Sequence, residues 1–559
     1  MIKKIVQLLS SRQRKQGIWV SLSVLLRAIL DFAGVAALIP VLLVVMKQNS
    51  ERRVMLALCG AVLLFVILKN TLVALLARIQ SRYQLEIYRD FSRRMFADYY
   101  HRGLLFLKGK SSVQLGHEVN YVCYMFSSCV LAPVFRMAGE SVLIVLMVLA
   151  LVIWEPLAGF LLCGAFLILS ALYVSLVKKR LRRYGMEELE ARRRQSRTVV
   201  EAFRGYAELE IAHAFHTSLT SFGQGMDLIV RNRLRMEVCQ LFPSFLSEMA
   251  VVAGLALLIG TGGGDLGLMS GVFAVAAFRM IPAVRSILNS WVTLQNASHT
   301  IAVVEEGISD TKPQDIRYKS TRNAKSNRNE LPFVFSHTLE LRELSFAFPD
   351  GHTLFCGLNL SIRRGERIGI RGASGAGKST LFNLMLGFFP PTSGEVLIDG
   401  RKLTSHNRSE WHRLVGYVPQ EIFIMEGTLA DNIALGHPQA DRVKVAQVLE
   451  QVQLGRWAKE LPQGLDTPLG EYGNRLSGGQ KQRIGIARAL YKEAEVLFFD
   501  EATSALDNRT EREINHALEQ LSLGHRELTL VVIAHRESSL AFCDRIFDLD
   551  TCNIVHTKA

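Results

Sequence analysis

Three things are scarce in this chain of 559 residues. Proline comes first: 14 residues are about half the share of roughly 5% found in average proteins. That excludes proline-rich stalks and leaves long helices uninterrupted. Paired cysteine is second. The eight cysteines, at 59, 123, 129, 163, 239, 356, 543 and 552, form no C-x-x-C pair and no metal-ligand spacing. A disulfide framework and a structural zinc site are therefore excluded as organising devices, and the thiols read as small hydrophobes. Acidic charge is third: 51 Asp and Glu stand against 65 Lys and Arg, a net charge of +14. The excess is gathered beside apolar runs, which favours membrane topology over a nucleic-acid partner.

Apolar sequence is abundant. Hydrophobic residues make up 49% of the chain and the mean hydropathy is +0.20. Runs long enough to cross a core of roughly 30 Å occur near 18–46, 54–77, 130–153, 157–177, 241–260 and 266–290. Basic clusters precede the first run (Lys3, Lys4, Arg12, Arg14, Lys15) and follow the second (Arg78, Arg82, Arg89, Arg93, Arg94) and the fourth (Lys178 to Arg183). The alternate loops, "WEP" and "TGGGDLG", carry little charge. Positive charge stays on the cytoplasmic side, so both termini and the two long charged loops, about 78–130 and 178–240, are predicted to be cytoplasmic. Those loops favour helix and read as spans continuing into the cytosol.

The start, "MIKKIVQLLSSRQRKQG", has a basic region but no small-residue cleavage site after a compact apolar core, so uncleaved insertion is expected. Ile2, Ile5, Val6 and Leu9 are expected to form one face of a short helix lying at the membrane interface. Six spans occupy residues 1–312, the composition turns polar from Asp310 to Asn329 and 313–336 reads as a linker, and residues 337–559 alternate strand-like and helical segments as in a soluble α/β domain.

That domain carries phosphate chemistry. "RGASGAGKST" contains G-x-x-x-x-G-K-S from Gly372 to Ser379, between the strand-like "RIGI" and the helical "TLFNLML". In this context glycines let backbone N–H groups wrap phosphates, Lys378 reaches the β- and γ-phosphates, and the Ser379 hydroxyl ligates Mg2+. "EVLFFDE" ends an apolar strand on Asp500, placed to hold Mg2+, with Glu501 beside it to orient an attacking water. "LTLVVIAHR" delivers His535 toward the γ-phosphate. Polar groups at the carboxyl ends of several strands are where an open α/β sheet binds ligand. In "NRLSGGQKQRIGIARAL", Ser477 and Gly478 open a helix whose free N–H groups form a further anion site.

LSGGQ, with GASGAGKST before it and FFDEATSALD after it, resembles the signature of ATP-binding cassette (ABC) transporters, over about 220 residues. The resemblance implies an α-helical six-span domain plus an α/β P-loop nucleotide-binding domain, in the exporter architecture. It further implies an ATP site shared head to tail between two chains. Gly372, Ser374, Gly375, Gly377, Lys378, Ser379 and Thr380 of one chain hold the nucleotide; Ser477, Gly478, Gly479 and Gln480 of the other close over it. Gln420 in "VGYVPQ" matches a Mg2+-touching loop, Asp507 a subunit-contact loop, and "GEYG" at 470–473 a loop meeting the partner's coupling helix. Phe348 stands where the family usually has a tyrosine stacking on adenine, a change that keeps the ring. Segments 108–120 and 201–215 occupy coupling-helix positions. One complete motif set with six spans implies a homodimeric ATPase in a bacterial inner membrane, exporting or flipping an amphipathic substrate.

The substrate is open at this stage. The first span and "AAFRMIPAVRSI" resemble segments of lipid-linked oligosaccharide flippases; a multidrug or peptide exporter, or an ATP-gated channel or regulatory membrane ATPase, are the alternatives. Charges inside the spans bear on the choice, since each costs about 2.5–3.5 kcal/mol at a membrane helix centre on insertion scales. Arg27 and Asp31 are four apart on one helix face, Arg136 and Glu140 repeat the spacing, and Glu248 and Arg279 add charges in the fifth and sixth runs. They serve either as structural ion pairs or as the wall of a water-filled path in which Arg27 and Arg279 meet an anionic headgroup.

Overall fold

A computed structural model describes residues 2–37, 52–154, 156–260, 266–308, 334–500 and, in parts, 512–556. The chain separates into two compact units, Met1–Asn323 and Ala324–Ala559.

The first unit is helical: α1 (Ile2–Leu8), α2 (Ser11–Ala36), α3 (Arg52–His101), α4 (Leu104–Lys108), α5 (Ser112–His117), α6 (Cys123–Phe126), α7 (Ala132–Trp154), α8 (Pro156–Arg204), α9 (Tyr206–Ile211), α10 (Phe215–Gly260), α11 (Leu266–Asn296) and α12 (His299–Ile308). Among the described residues, Ser11–Ala36, Leu56–His101 and Ser112–Ile153 are long and apolar enough to cross a membrane. The 50 residues of α3 reach about 75 Å at 1.5 Å per residue, far beyond a 30 Å core; α8 and α10, of 49 and 46 residues, overshoot likewise. Spans and charged extensions are thus single helices, as the scarcity of proline allows. Between α5 and α7 the helix is widened by two π-helical segments, Glu118–Val122 and Ser127–Leu131.

The first helices depart from expectation. Ser10 and Gln13 form a reciprocal cap, the Gln13 amide donating to Ser10 Oγ at 3.3 Å and the Ser10 amide to Gln13 Oε1 at 2.9 Å. The spanning helix therefore starts at Ser11, ahead of the apolar run. Ile5 and Leu9 do not face a membrane surface. They are buried in a cluster with Ile301, Val304 and Ile308 of α12, and Lys4 pairs with Glu305 at 2.9 Å. An apolar stripe on a short helix buries itself wherever a matching stripe lies nearby, and α12 supplies one.

In the second unit β2 (Thr353–Arg363), β1 (Thr338–Ala347), β4 (Ser393–Ile398) and β5 (Arg401–Lys402) make an antiparallel sheet in that order. A second sheet runs β10 (Asn553–His556), β9 (Arg545–Asp548), β3 (Arg367–Arg371), β8 (Thr529–Ile533), β7 (Val496–Asp500), β6 (Val415–Val418). Its inner strands pair in parallel, and every residue of β7 and β8 is buried. That is why these strands read as continuous apolar runs instead of alternating ones. Helices α13 (Lys378–Met385), α14 (Arg408–Leu414), α15 (Leu429–Ile433), α16 (Arg442–Gln451), α17 (Gly455–Glu460) and α18 (Gly478–Tyr491) are among the described helices of this unit.

Candidate functional site

Two sites emerge, one in each unit. In the second, β3 ends at Arg371 and the chain turns through the glycine-rich loop into α13. Gly377 sits at φ +94°, and a Cβ there would lie 2.6 Å from Leu354 Cδ2 and 2.8 Å from Phe355 Cζ. Only glycine satisfies both constraints, so the loop packs its backbone directly against β2 where it enters α13. Lys378 is buried and its Nζ donates to the Gly372 and Ala373 carbonyls at 2.9 and 3.0 Å, so it curls back over the loop. Ser379 Oγ donates to Asp500 Oδ1 at 3.2 Å. The sheet thereby brings the ends of two strands, far apart in sequence, to a hydroxyl and a carboxylate in contact. An oxygen-only pair of this kind suits a hard cation such as Mg2+.

Phe348, on the turn after β1, meets Phe346 edge-on at 5.1 Å and lies parallel to His352 at 6.5 Å. Gln420 is exposed just past β6. Ser477 caps α18: its Oγ accepts from the Gln480 amide at 3.2 Å while Gln480 Oε1 accepts from the Ser477 amide at 2.8 Å. Ser477 and Gly478 are exposed and Gly479 is buried, so the start of α18 is presented to the outside. Glu501, Asp507 and His535 lie outside the described residues.

A residue with no distinguishing motif locks this region. Arg488 of α18 donates to the carbonyls of Asn432 at 2.5 Å and Phe423 at 2.6 Å, and to Asn432 Oδ1 at 2.9 Å. Burial lowers its pKa to about 10. The helix beginning at Ser477 is thereby tied to the segment that follows Gln420.

In the first unit, Arg27, Asp31, Gln80, Arg136, Glu140 and Ser286 line a cavity of about 500 Å³. Of the charged residues flagged in the spans, Arg27, Asp31, Arg136 and Glu140 line it. Arg279 reaches it through Asp31 Oδ2, at 3.2 Å. The within-helix pair is the loosest contact, with Arg27 Nε 4.0 Å from Asp31 Oδ2. Ser286 lines the cavity together with Glu140. Glu248 is exposed and does not line the cavity. Lys69, which the sequence reading passed over, approaches Asp31 Oδ1 at 3.2 Å with its side chain only 14% exposed. Its signal was present: a lone lysine inside the second apolar run, open to the rule that singled out Arg27.

A long-helix membrane unit followed by a phosphate-loop domain defines an ATP-driven membrane transporter. Residues 355–504 match the ABC transporter family. The ATP-dependent lipid A-core flippase of Francisella novicida is 30% identical over 466 residues, 80% of this chain and 74% of that protein. The protein of the same name from Ralstonia nicotianae is 41% identical over 221 residues, 39% of this chain and 37% of that one. A bacterial Atm1-family ABC exporter with ATP bound shares the fold, with a TM-score of 0.79 at 21% identity, over 97% of this chain and 95% of that one. The chain belongs to the ABC transporter family, membrane proteins that couple ATP hydrolysis to movement across the bilayer.

Proposed function

We propose that the chain works as a homodimer in a bacterial inner membrane and uses ATP to flip an amphipathic lipid with a phosphate-bearing headgroup, of the lipid A-core or lipid-linked oligosaccharide class. The observation that carries this reading is the charge of the cavity. In the lining itself Arg27 and Arg136 stand against Asp31 and Glu140, and Lys69 and Arg279, which reach the cavity through Asp31, raise the total to four cations against two carboxylates. Intramembrane charges are tolerated where they face a bundle interior or a wet cavity, and a surplus of one sign selects a ligand of the other. A neutral drug would leave the surplus uncompensated. The names carried by the relatives point to the same substrate class.

In this reading ATP lies on the Gly372–Thr380 loop with Lys378 on its β- and γ-phosphates, Phe348 against the base, and Mg2+ held by Ser379 and Asp500 with Gln420 near it. Glu501 activates water, and His535 contacts the γ-phosphate. Ser477 to Gln480 of a second copy complete the site, so closure of two ATP-binding domains drives the spans from inward- to outward-facing. The test is ATP-driven movement of labelled lipid across proteoliposomes. Translocation of a phosphate-bearing glycolipid that vanishes in Glu501→Gln supports the reading. Transport of neutral drugs with no lipid movement refutes it, and ion currents that persist without ATP turnover favour a channel.

A further inference from the structure

Asp31 has one carboxylate and three cationic neighbours. Oδ1 faces Lys69 of α3 at 3.2 Å, while Oδ2 faces Arg279 of α11 at 3.2 Å and Arg27 of its own α2 at 4.0 Å. Its side chain is 17% exposed and lines the cavity. The approach of α2 to α3 is shaped for this contact. A Cβ at Gly34, one turn beyond Asp31, would sit 3.0 Å from Lys69 Cδ and 3.1 Å from its Nζ. Glycine therefore leaves the lysine stem room to lie across α2 and reach the carboxylate.

We propose that Asp31 is an internal counter-ion that holds the cation cluster together in the empty cavity and is displaced when the headgroup of the cargo binds. The inference rests on the headgroup reading given above. Asp31 faces three cations, and Glu140 in the same cavity interacts with two of them, Arg27 and Arg279; without Asp31, Glu140 alone would have to offset cations that repel one another across helices that must pack while the cavity is empty. A phosphate or pyrophosphate carries more charge and more acceptor oxygens than a carboxylate, so it wins the same donors. Once it does, Asp31 faces an anion instead of cations. The links of α2 to α3 and to α11 loosen together, and one binding event is felt by three helices. Asp31 is thus a positioning residue whose removal tightens binding instead of weakening it, the opposite of what loss of a merely structural ion pair would do.

The experiment uses the full-length dimer in phosphatidylcholine nanodiscs doped with graded amounts of lipid A or of undecaprenyl pyrophosphate, read by ATPase stimulation. Asp31→Asn is expected to lower the half-stimulating mole fraction about tenfold, the equivalent of one decade in binding constant. It is also expected to raise turnover without lipid and so shrink the fold-stimulation. Lys69→Gln is expected to shift the half-stimulating fraction the other way, and Asp31→Glu to return it toward the wild-type value. Thermal melting gives a second readout that does not depend on turnover. Without phospholipid anions, 10 mM inorganic pyrophosphate, a concentration of about the millimolar order typical of weak binding, is expected to raise the melting temperature of Asp31→Asn more than that of the wild type. A wild type stimulated by either lipid, with Asp31→Asn needing as much lipid or more, overturns the inference alone. A wild type indifferent to both lipids overturns the headgroup reading and the inference with it.

Discussion

Replacing Arg488 by methionine keeps most of the side-chain volume and removes the guanidinium that joins α18 to the segment after Gln420. Three acceptors lose this donor: the carbonyls of Phe423 and Asn432 and the Asn432 amide oxygen. Asn432 is fully buried, and its amide group is committed to Met425 and Thr428, with its Nδ2 donating to both their carbonyls. An unsatisfied buried acceptor costs about 1–3 kcal/mol. Asn432 Oδ1 keeps the Met425 amide as a donor at 2.9 Å and Phe423 is exposed to water, so the Asn432 carbonyl alone is left unpaired and the loss is set at about 2 kcal/mol. For a unit of this size, residues 324–559, each kcal/mol moves the melting temperature by about 2–4 °C, so a fall of about 4–8 °C is expected. Lysine keeps the charge but not the fork, so Arg488→Lys is expected to fall between the two. Calorimetry of the purified full-length protein gives the transition. ATP turnover measured well below it gives the functional share, since a loosened segment disturbs the Gln420 loop. A melting temperature within about 2 °C of wild type, less than 1 kcal/mol on this scale, refutes the reasoning.

Two further predictions concern the same unit. Phe348→Ala is expected to raise the KM for ATP several-fold, as loss of about 0.5–1.5 kcal/mol of ring stacking dictates, whereas Phe348→Tyr leaves it near wild type; a steady-state ATP titration reads the difference. His412 is held below its ordinary pKa of 6.5, first by burial and then by the charges of Arg408 and Lys492, against the contact of its Nε2 with the Leu386 carbonyl at 2.7 Å. The folded state keeps the imidazole neutral while the unfolded chain takes up a proton below 6.5. Its contribution to stability is therefore full above that pH and is lost as the pH falls toward the lowered folded value. His412→Gln is expected to melt with a shallower acid-side decline than wild type between about pH 7 and 5, the range in which an ordinary histidine titrates. Parallel curves would remove His412 from the account.

Local order was legible wherever chemistry and periodicity coincide. The strand, glycine-rich loop and helix around Lys378 follow from φ requirements and apolar runs that neighbouring residues impose on each other. The capped start of α18 at Ser477 is equally local: an N-cap and its partner three residues on. The long helices could be read because apolar spans run straight into charged helix formers, with no proline in α3 and only Pro156 at the start of α8, while α10 continues through Pro243. Less legible was anything that needed two distant segments. Ile5 and Leu9 have the pattern of a surface-lying helix, and nothing in residues 1–17 tells that α12, some three hundred residues later, offers the apolar face they occupy. Arg488 has no local signal either, because its role is set by carbonyls of Phe423 and of Asn432 in α15, more than fifty residues before it.

The sequence by itself determined that this is an ATP-coupled membrane protein, because a phosphate-binding loop, a strand-end aspartate and membrane-length apolar runs are each specified by contiguous residues. It also placed Arg27 and Asp31 on one helix face, since 3.6 residues per turn leaves no other arrangement. Only the tertiary structure decided which cations Asp31 holds. Lys69 and Arg279 are 38 and 248 residues away from it in the chain, and they come closer than the arginine one turn away. The reason is physical: spacing along a helix sets which side chains share a face. Which charges meet across helices depends on the level at which those helices pack, and there a single glycine, Gly34, makes the room.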